Sequence, residues 1–180
     1  PTAANQPLFA NNATDNINFN PMVKFNGASS RMILDGTRLP VGNSARTLFA
    51  LTANAATAYR SVISWGDPVA TSYGTRYTME IGGGGRYIES SNSRYGNAGG
   101  NTMLPSFTSF TNAAGATPST VVMRANGTGI TNVISCCSNT VLNISSLATA
   151  YLGENALSGG GYYYNGLMGD IIVFPNTLST

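Results

Sequence analysis

The chain of 180 residues carries 9 basic and 7 acidic side chains, a net charge of +2 and no histidine. Charged residues make up 9% of the sequence and hydrophobic residues 42%, a balance that excludes a disordered chain. The lack of histidine excludes Ser-His and Cys-His nucleophile pairs and the commonest zinc ligand.

The basic residues are scattered along the sequence and form no stripe, so we expect no nucleic-acid partner. No apolar run approaches the ~20 residues that a bilayer-spanning helix needs, so we expect no membrane insertion. Pro1 does not open a basic-then-apolar leader, which indicates a mature protein or a fragment of a longer one. The length fits a single domain over residues 1–180.

Short runs of β-forming residues, separated by turn residues, follow one another along the chain. Asn26-Gly27 and Asp35-Gly36 end the first two runs, and such pairs favour tight hairpin turns. The predicted strands are 22–26, 31–34, the first half of 45–59, 61–65, 76–81, 86–89, 121–125, 131–136, 140–144, 151–153, 162–165 and 170–174.

The four glycines at 82–85 predict a hairpin between two of these strands, and the Ser/Asn/Gly/Thr-rich residues 90–118 predict a long loop. No segment shows convincing helical periodicity, so we expect less than about 10% helix. Many short strands without helices predict an all-β, antiparallel two-sheet jelly-roll sandwich.

The two ends of the sequence carry the most specific motifs. These are Val23-Lys24-Phe25-Asn26-Gly27, Tyr151-Leu152-Gly153, Tyr164-Asn165-Gly166, the run from Asp170 to Phe174, and Leu178-Ser179. Together they resemble the concanavalin A-like lectin/glucanase superfamily, and within it the laminin-G-like jelly-roll domain. The resemblance implies that the first and last strands are neighbours, so residues 23–26 should pair with or lie beside 171–174.

The same motifs give expectations for single residues. Gly166 suits a tight turn, and Tyr164, Ile171 and Val173 are expected in the core of one strand pair.

Several functions share this fold, so the resemblance does not by itself choose one. We predict a non-catalytic recognition or adhesion module on an extracellular, cell or virion surface that binds a glycan or a surface protein. An architectural capsid, fibre or surface-layer domain without a small ligand is the alternative, and a glycoside hydrolase is the second. The sequence leaves open a homo-oligomer or a place in a larger assembly.

Sugar binding needs an aromatic ring for the C–H face of the sugar and planar polar groups for its hydroxyls. Such residues occur in turns and loops, where a rigid scaffold leaves them free to meet a ligand. The candidate ligand-binding residues are Tyr163, Tyr95, Trp65, Asp67, Arg94 and Asn97. The alternative for the aromatic residues is packing, which is their common role in a sandwich.

No cofactor is predicted, with calcium as the one alternative. Asp67 and Asn97 are the candidate ligands, because calcium is bound by carboxylate and amide oxygens. A single acid in a turn more often caps its own backbone. The adjacent Cys136 and Cys137 favour two reduced thiols, with a vicinal or interchain disulfide as the alternative.

A glycosidase would need two carboxylates placed on either side of the scissile bond. Glu80 and Glu89 flank the predicted hairpin, but they lack the motif of the hydrolytic members, and an ordinary solvated pair is favoured.

We therefore expect no hydrolysis of common β-glucans, galactans or chitin, because histidine is absent and the carboxylates are dispersed. The measurement is reducing-sugar release over a panel of these polymers. A turnover that disappeared in Glu80→Gln or Glu89→Gln would contradict this expectation.

Overall fold

The computed structural model describes residues 2–69, 72–82, 85–91, 93–98, 104–131, 133–136, 139–155 and 162–178. Helical structure in these residues is limited to three short 3-10 turns, Ala3–Asn5, Gly36–Arg38 and Pro118–Thr120. Within the same ranges, no helix has the length and apolarity to cross a membrane.

Fourteen strands in the described residues build two antiparallel sheets, which confirms the predicted jelly-roll sandwich. The first sheet has the order β1-β2-β14-β4-β9-β10-β11 and the second β12-β8-β7-β6-β5-β13-β3. The strands are β1 (Leu8–Ala10), β2 (Met22–Asn26), β3 (Met32–Asp35), β4 (Arg46–Asn54), β5 (Arg60–Gly66), β6 (Arg76–Gly82), β7 (Gly85–Ser90), β8 (Ser93–Ala98), β9 (Ser106–Asn112), β10 (Val122–Ala125), β11 (Thr128–Ile130), β12 (Val133–Cys136), β13 (Thr149–Leu152) and β14 (Asn165–Phe174).

The first and last predicted strands are neighbours, as the resemblance implied. β2 pairs with the first half of β14, with Val23 opposite Met168 and Asn26 opposite Asn165. The second half of β14 continues to Phe174 beside β4. Residues 171–174 thus belong to the strand that lies next to β2.

The expected tight turn at Gly166 is wrong, because this residue lies inside β14. Its φ is +144°, and a Cβ atom there would lie 2.2 Å from the Ala53 carbonyl oxygen of β4. Close approach of the two backbones therefore requires glycine at this position.

Three predicted elements differ from the structure. Of the predicted strand 162–165, only Asn165 lies in a strand, where it begins β14. Residues 90–118 are not one long loop, since they contain β8 and β9. Residues 140–144 do not form a strand and contribute only an isolated bridge between Gly42 and Ile144. The polar composition concealed β9, whose Thr108 is fully buried between the sheets even though its sequence resembles a loop.

The core between the sheets is built around Trp65 and Tyr77, whose ring centroids lie 4.6 Å apart. The Trp65 Nε1–H donates to the Pro40 carbonyl at 2.8 Å, and the Tyr77 hydroxyl donates to Asn112 at 3.2 Å. The second bond joins β6 of one sheet to β9 of the other.

Two arginines are also buried between the sheets. Arg86 of β7 donates from Nε to Thr108 at 2.8 Å and from Nη2 to Ser106 at 2.7 Å, so it links the second sheet to the first. Burial lowers the pKa of Arg86. Arg46 donates to the carbonyls of Pro40, Gly42 and Ser44, and these dipoles replace its water.

The C-terminal motif packs as expected. Tyr164 is fully buried, and its ring meets that of Phe25 edge-on at 6.0 Å between centroids. Ile171 and Val173 are partly buried against the same core. Gly153 lies beside Phe25, and a Cβ atom on it would come within 2.3 Å of the Phe25 ring.

Gly153 and Gly127 provide a matched test of this close packing. Their φ angles are +79° and +80°, but a Cβ on Gly127 would meet nothing within 4 Å. We expect Gly153→Ala to lower the free energy of unfolding by roughly 1–3 kcal/mol more than Gly127→Ala, the usual cost of overpacking. Urea unfolding of both variants measures the difference, and equal losses would contradict the packing role of Gly153.

Candidate functional site

The second sheet presents polar side chains on the side that faces away from the core. In β6, Met79 lies opposite Ile63 and Ile88, and all three belong to the core. Successive side chains of a strand point to opposite faces, so Glu80, the next residue, points outward. Its cross-strand neighbours are Ser61 on β5 and Tyr87 on β7.

A second row of outward side chains crosses β5, β6, β7 and β8 and consists of Ser64, Thr78, Glu89 and Arg94. We use the term polar face for the outward side chains of these two rows, together with Arg76 one step further along β6. Its members are Ser61, Ser64, Arg76, Thr78, Glu80, Tyr87, Glu89 and Arg94. All except Arg94 are buried, with at most 4% of their surface exposed.

Burial of these polar groups requires internal partners. The Ser64 and Thr78 hydroxyls are hydrogen-bonded to each other at 2.7 Å. Arg76 binds Glu89 through two parallel bonds, Nε to Oε2 at 3.1 Å and Nη2 to Oε1 at 2.6 Å. This bidentate geometry is the strong form of an arginine–carboxylate pair.

A second ion pair lies nearer to the solvent. Arg94 Nε donates to Glu80 Oε2 at 2.6 Å, and the Arg94 side chain is 20% exposed. Its guanidinium lies over the Tyr59 ring, 4.2 Å from the centroid. Burial raises the pKa of the Glu80 carboxyl above its ordinary value, and the charge of Arg94 acts in the opposite direction.

Two buried atoms of the polar face have no hydrogen-bond partner among the described residues. They are Oε1 of Glu80 and Oγ of Ser61, which belong to directly opposed residues of β6 and β5. A buried carboxylate oxygen without a donor is costly, and such groups often mark a place where another molecule supplies the bond.

Aromatic residues lie at the solvent side of this pair. Tyr59 is half-buried and meets Tyr87 edge-on at 5.0 Å between centroids. Tyr162 is also half-buried, and its carbonyl accepts a hydrogen bond from the Ser61 amide at 3.1 Å. We call the partly exposed residues Tyr59, Tyr162 and Arg94 the rim. Arg94 is paired with Glu80, Tyr59 contacts Arg94, and residue 162 is joined to Ser61 through its backbone.

Trp65 and Tyr95, two of the candidates from the sequence, lie in the core instead of on a binding surface. Each is 1% exposed, and both point from the second sheet towards the first. The physical reason is strand alternation, since Tyr95 lies opposite core residue Ile88. A ring enclosed in this way has no free face for a sugar.

Asp67 caps its own turn. Its Oδ1 accepts from the Val69 amide at 2.8 Å and its Oδ2 from the Thr75 hydroxyl at 3.3 Å. Calcium takes six to eight oxygen ligands, and within the described ranges no group of three or more acidic, cysteine or histidine side chains is placed to hold a metal. The calcium alternative at Asp67 and Asn97 stays a prediction, because the side chain of Asn97 lies outside the described part.

Tyr163 belongs to a different cluster. Arg31 Nη1 donates to its hydroxyl at 3.4 Å and forms an ion pair with Glu154 at 3.0 Å. Burial raises the pKa of the Tyr163 hydroxyl, and its hydrogen bond to Glu154 adds to this shift. Tyr163 and Arg94, both candidate ligand-binding residues, thus lie in different clusters. Arg94 pairs with Glu80, whereas Tyr163 lies beside the pair of Arg31 and Glu154.

Glu80 and Glu89 are not an ordinary solvated pair. They share the polar face, as the hairpin predicted, but each is buried and bound to an arginine. Cys137 lies outside the described residues, so the expectation for the adjacent cysteines stays a prediction.

Sequence reasoning missed Ser61, Thr78, Arg76 and Tyr59. One signal was available in Arg-Tyr-Thr-Met-Glu-Ile at 76–81, which alternates polar with apolar residues and therefore places Arg76, Thr78 and Glu80 on one face.

No protein-family model matches the sequence, and neither does any curated protein. Solved structures share the fold. The carbohydrate-binding module CBM40 of the Ruminococcus gnavus IT-sialidase, bound to α2,3-sialyllactose, is 15% identical with a TM-score of 0.64, over 88% of this chain and 91% of that one.

Two further structures extend the comparison. Domain 4 of AbnA, a GH43 extracellular arabinanase from Geobacillus stearothermophilus, in complex with arabinotriose, is 14% identical with a TM-score of 0.62, over 97% of this chain and 77% of that one. The NanB sialidase of Streptococcus pneumoniae is 14% identical with a TM-score of 0.61, over 88% of this chain but only 26% of that one. These similarities show that the chain shares a two-sheet β-sandwich fold with these domains.

The buried pair Arg76–Glu89 and the exposed pair Arg38–Asp35 predict different costs for the same substitution. Arg76→Met leaves the Glu89 carboxylate buried without this partner, so we expect a loss of about 3–5 kcal/mol in the free energy of unfolding. Arg38 is 86% exposed, and Arg38→Met should cost less than about 1 kcal/mol. Denaturant unfolding of both variants checks this, and similar losses would refute the structural role of the buried pair.

Proposed function

We propose that the chain is a non-catalytic glycan-binding module that binds sugar at the rim of the polar face. The observation that carries the proposal is the unpartnered Glu80 Oε1 beside the unpartnered Ser61 Oγ, next to half-buried tyrosines. One sugar hydroxyl would suit both atoms, since it can donate to the carboxylate and accept from the serine. Because both atoms are buried, the sugar reaches them only when the tyrosines of the rim move aside.

The rim supplies the other elements of sugar recognition. The rings of Tyr59 and Tyr162 are partly exposed and offer apolar surface to the C–H face of a sugar. The Nε–H of Arg94 donates to Glu80, and this bond fixes the direction in which the Nη groups of Arg94 point. A donor held in one direction binds with a smaller loss of entropy than a mobile one.

The non-catalytic part of the proposal has a geometric support. Both oxygens of Glu89 accept hydrogen bonds from Arg76. A glycosidase needs its second carboxylate free to act as nucleophile or base. Ion pairing of both acids therefore favours binding over hydrolysis.

The structural neighbours support the choice of ligand class. A module of the same fold is bound to sialyllactose and another domain to arabinotriose. For the present chain a glycan ligand, the laminin-G-like subtype and an extracellular, cell-surface or virion-surface location are all proposals. The proposed extracellular, cell-surface or virion-surface location is supported only by the proposed glycan-binding role.

One observation favours the alternative of an architectural domain. Leu8, Phe9, Met32 and Ile33 are between 41% and 74% exposed. Phe9, Met32 and Ile33 line a groove of about 620 Å³ between β1 and β3, at one edge of the sandwich. Exposed apolar surface of this kind is typical of contacts with other molecules. Sedimentation of the ligand-free chain shows whether it self-associates.

The binding site is tested by tyrosine substitutions after a glycan array, run with and without calcium, has identified a ligand. Truncating a central aromatic contact often costs more than about 2 kcal/mol, so Tyr162→Ala should weaken binding at least tenfold. Tyr73→Ala is the matched control, because Tyr73 is 46% exposed and precedes β6, at the end opposite Glu80. Calorimetric titration and a thermal melt are measured for each variant.

Tyr163→Ala serves as the third arm of the same experiment. If only this variant loses affinity while its melt is unchanged, the sugar binds around Arg31 and Glu154 and not at the rim. If neither substitution at 162 and 163 changes the affinity, the proposed site is wrong.

A further inference from the structure

We infer that the rim prefers uncharged sugars to sugars that carry a carboxylate, because each arginine of the polar face is neutralised by its own glutamate. This inference rests on the proposed glycan-binding function and names the class of ligand. It separates the chain from neighbours that share its fold but are bound to sialyllactose, an acidic glycan.

The charges of the polar face balance. Arg76 is bound to Glu89 at 2.6 Å, and Arg94 is bound to Glu80 at the same distance. All four groups lie on β6, β7 and β8, so two cations face two anions within one small area. A ligand carboxylate at either arginine would meet a charge that a buried glutamate already neutralises.

The ion pair beside Tyr163 leads to the same expectation. Arg31, which contacts Tyr163, is held by Glu154 at 3.0 Å. A sugar that shifted from the rim towards Tyr163 would again meet an arginine already bound to a carboxylate.

The unpartnered oxygen adds a specific reason. Glu80 Oε1 is fully buried, and no described residue donates a hydrogen bond to it. When ionised, a carboxylate only accepts hydrogen bonds, so its complement is a hydroxyl or amide group. A second carboxylate brought to this place would add a like charge in a region of low dielectric, where repulsion is strong.

The fold does not decide between the two ligand classes. One neighbour is bound to sialyllactose, which carries a carboxylate, and another to arabinotriose, which carries none. We therefore base the expected preference for uncharged sugars on the arrangement of charges in this chain.

Matched pairs of glycans test the inference. Lactose is compared with α2,3-sialyllactose, and xylobiose with its glucuronic-acid-substituted form, in an array of such pairs followed by titration of the strongest pair. We expect the uncharged member to bind at least about tenfold more tightly. Its affinity should be nearly unchanged between low and high salt, since no net charge is paired on binding.

Glu80→Gln gives the second arm. The amide leaves Arg94 without its counter-ion, so the acidic member should gain on the uncharged one by about tenfold or more relative to wild type. Asp170→Asn is the control, because Asp170 is exposed on β14 of the other sheet and should leave the ratio unchanged. If Glu80→Gln fails to fold, the salt dependence of the wild-type chain still decides.

The outcomes separate the inference from the proposed function. Tighter binding of the acidic member by wild type overturns the inference and leaves the glycan-binding function standing. Binding of neither class overturns both. An unaltered ratio in a folded Glu80→Gln variant overturns the role of the Glu80–Arg94 pair in selection.

Discussion

The ion pair between Arg76 and Glu89 joins β6 to β7 on a side of the sheet that solvent hardly reaches. A sandwich normally leaves the outward side of each sheet in water, where polar residues need no specific partner. Here the outward side chains of β5, β6 and β7 are buried as deeply as the core. Each polar group must then be matched inside the protein, and the pairing of charges follows from this requirement.

The same requirement governs the space between the sheets. Arg86 donates to the neutral hydroxyls of Thr108 and Ser106, and Arg46 donates to backbone carbonyl oxygens, in contrast to the carboxylate partners of the arginines on the polar face. Dipoles from several groups can replace the water around one cation. The outward side of the second sheet is therefore polar, and its inward side carries both apolar and polar residues. The side chains on both sides of its central strands are buried and need partners inside the protein.

The fold could be predicted from local signals, because turn-forming pairs and the alternation of polar with apolar residues are patterns of neighbouring residues. Asn26-Gly27 ended β2 where it was expected, and the four glycines marked the β6–β7 hairpin. β9 was missed because Thr108 is buried through a bond to Arg86, a residue 22 positions away. No local pattern reveals such a partner.

The candidate site could be predicted only in part. Arg94 was singled out by its type and lies at the rim, and Glu80 and Glu89 were expected to approach each other. Trp65 and Tyr95 were proposed as ligand contacts because aromatic rings suit sugars, but the facing sheet encloses both. Which side of a strand is covered depends on the whole topology, and the sequence of one strand does not contain that information.

Pairing across strands also has a consequence for how this protein changes over evolutionary time. Loss of either Arg76 or Glu89 alone leaves the other charge buried without this partner, whereas replacing both by apolar residues of similar volume is tolerated far better. The two positions are thus epistatically coupled, because the cost of changing one depends on which residue occupies the other. Ser61 and Ser64 of the same face carry no charge, so neither position is coupled to a partner in this way, whereas the arginine–glutamate pair is inherited as a unit.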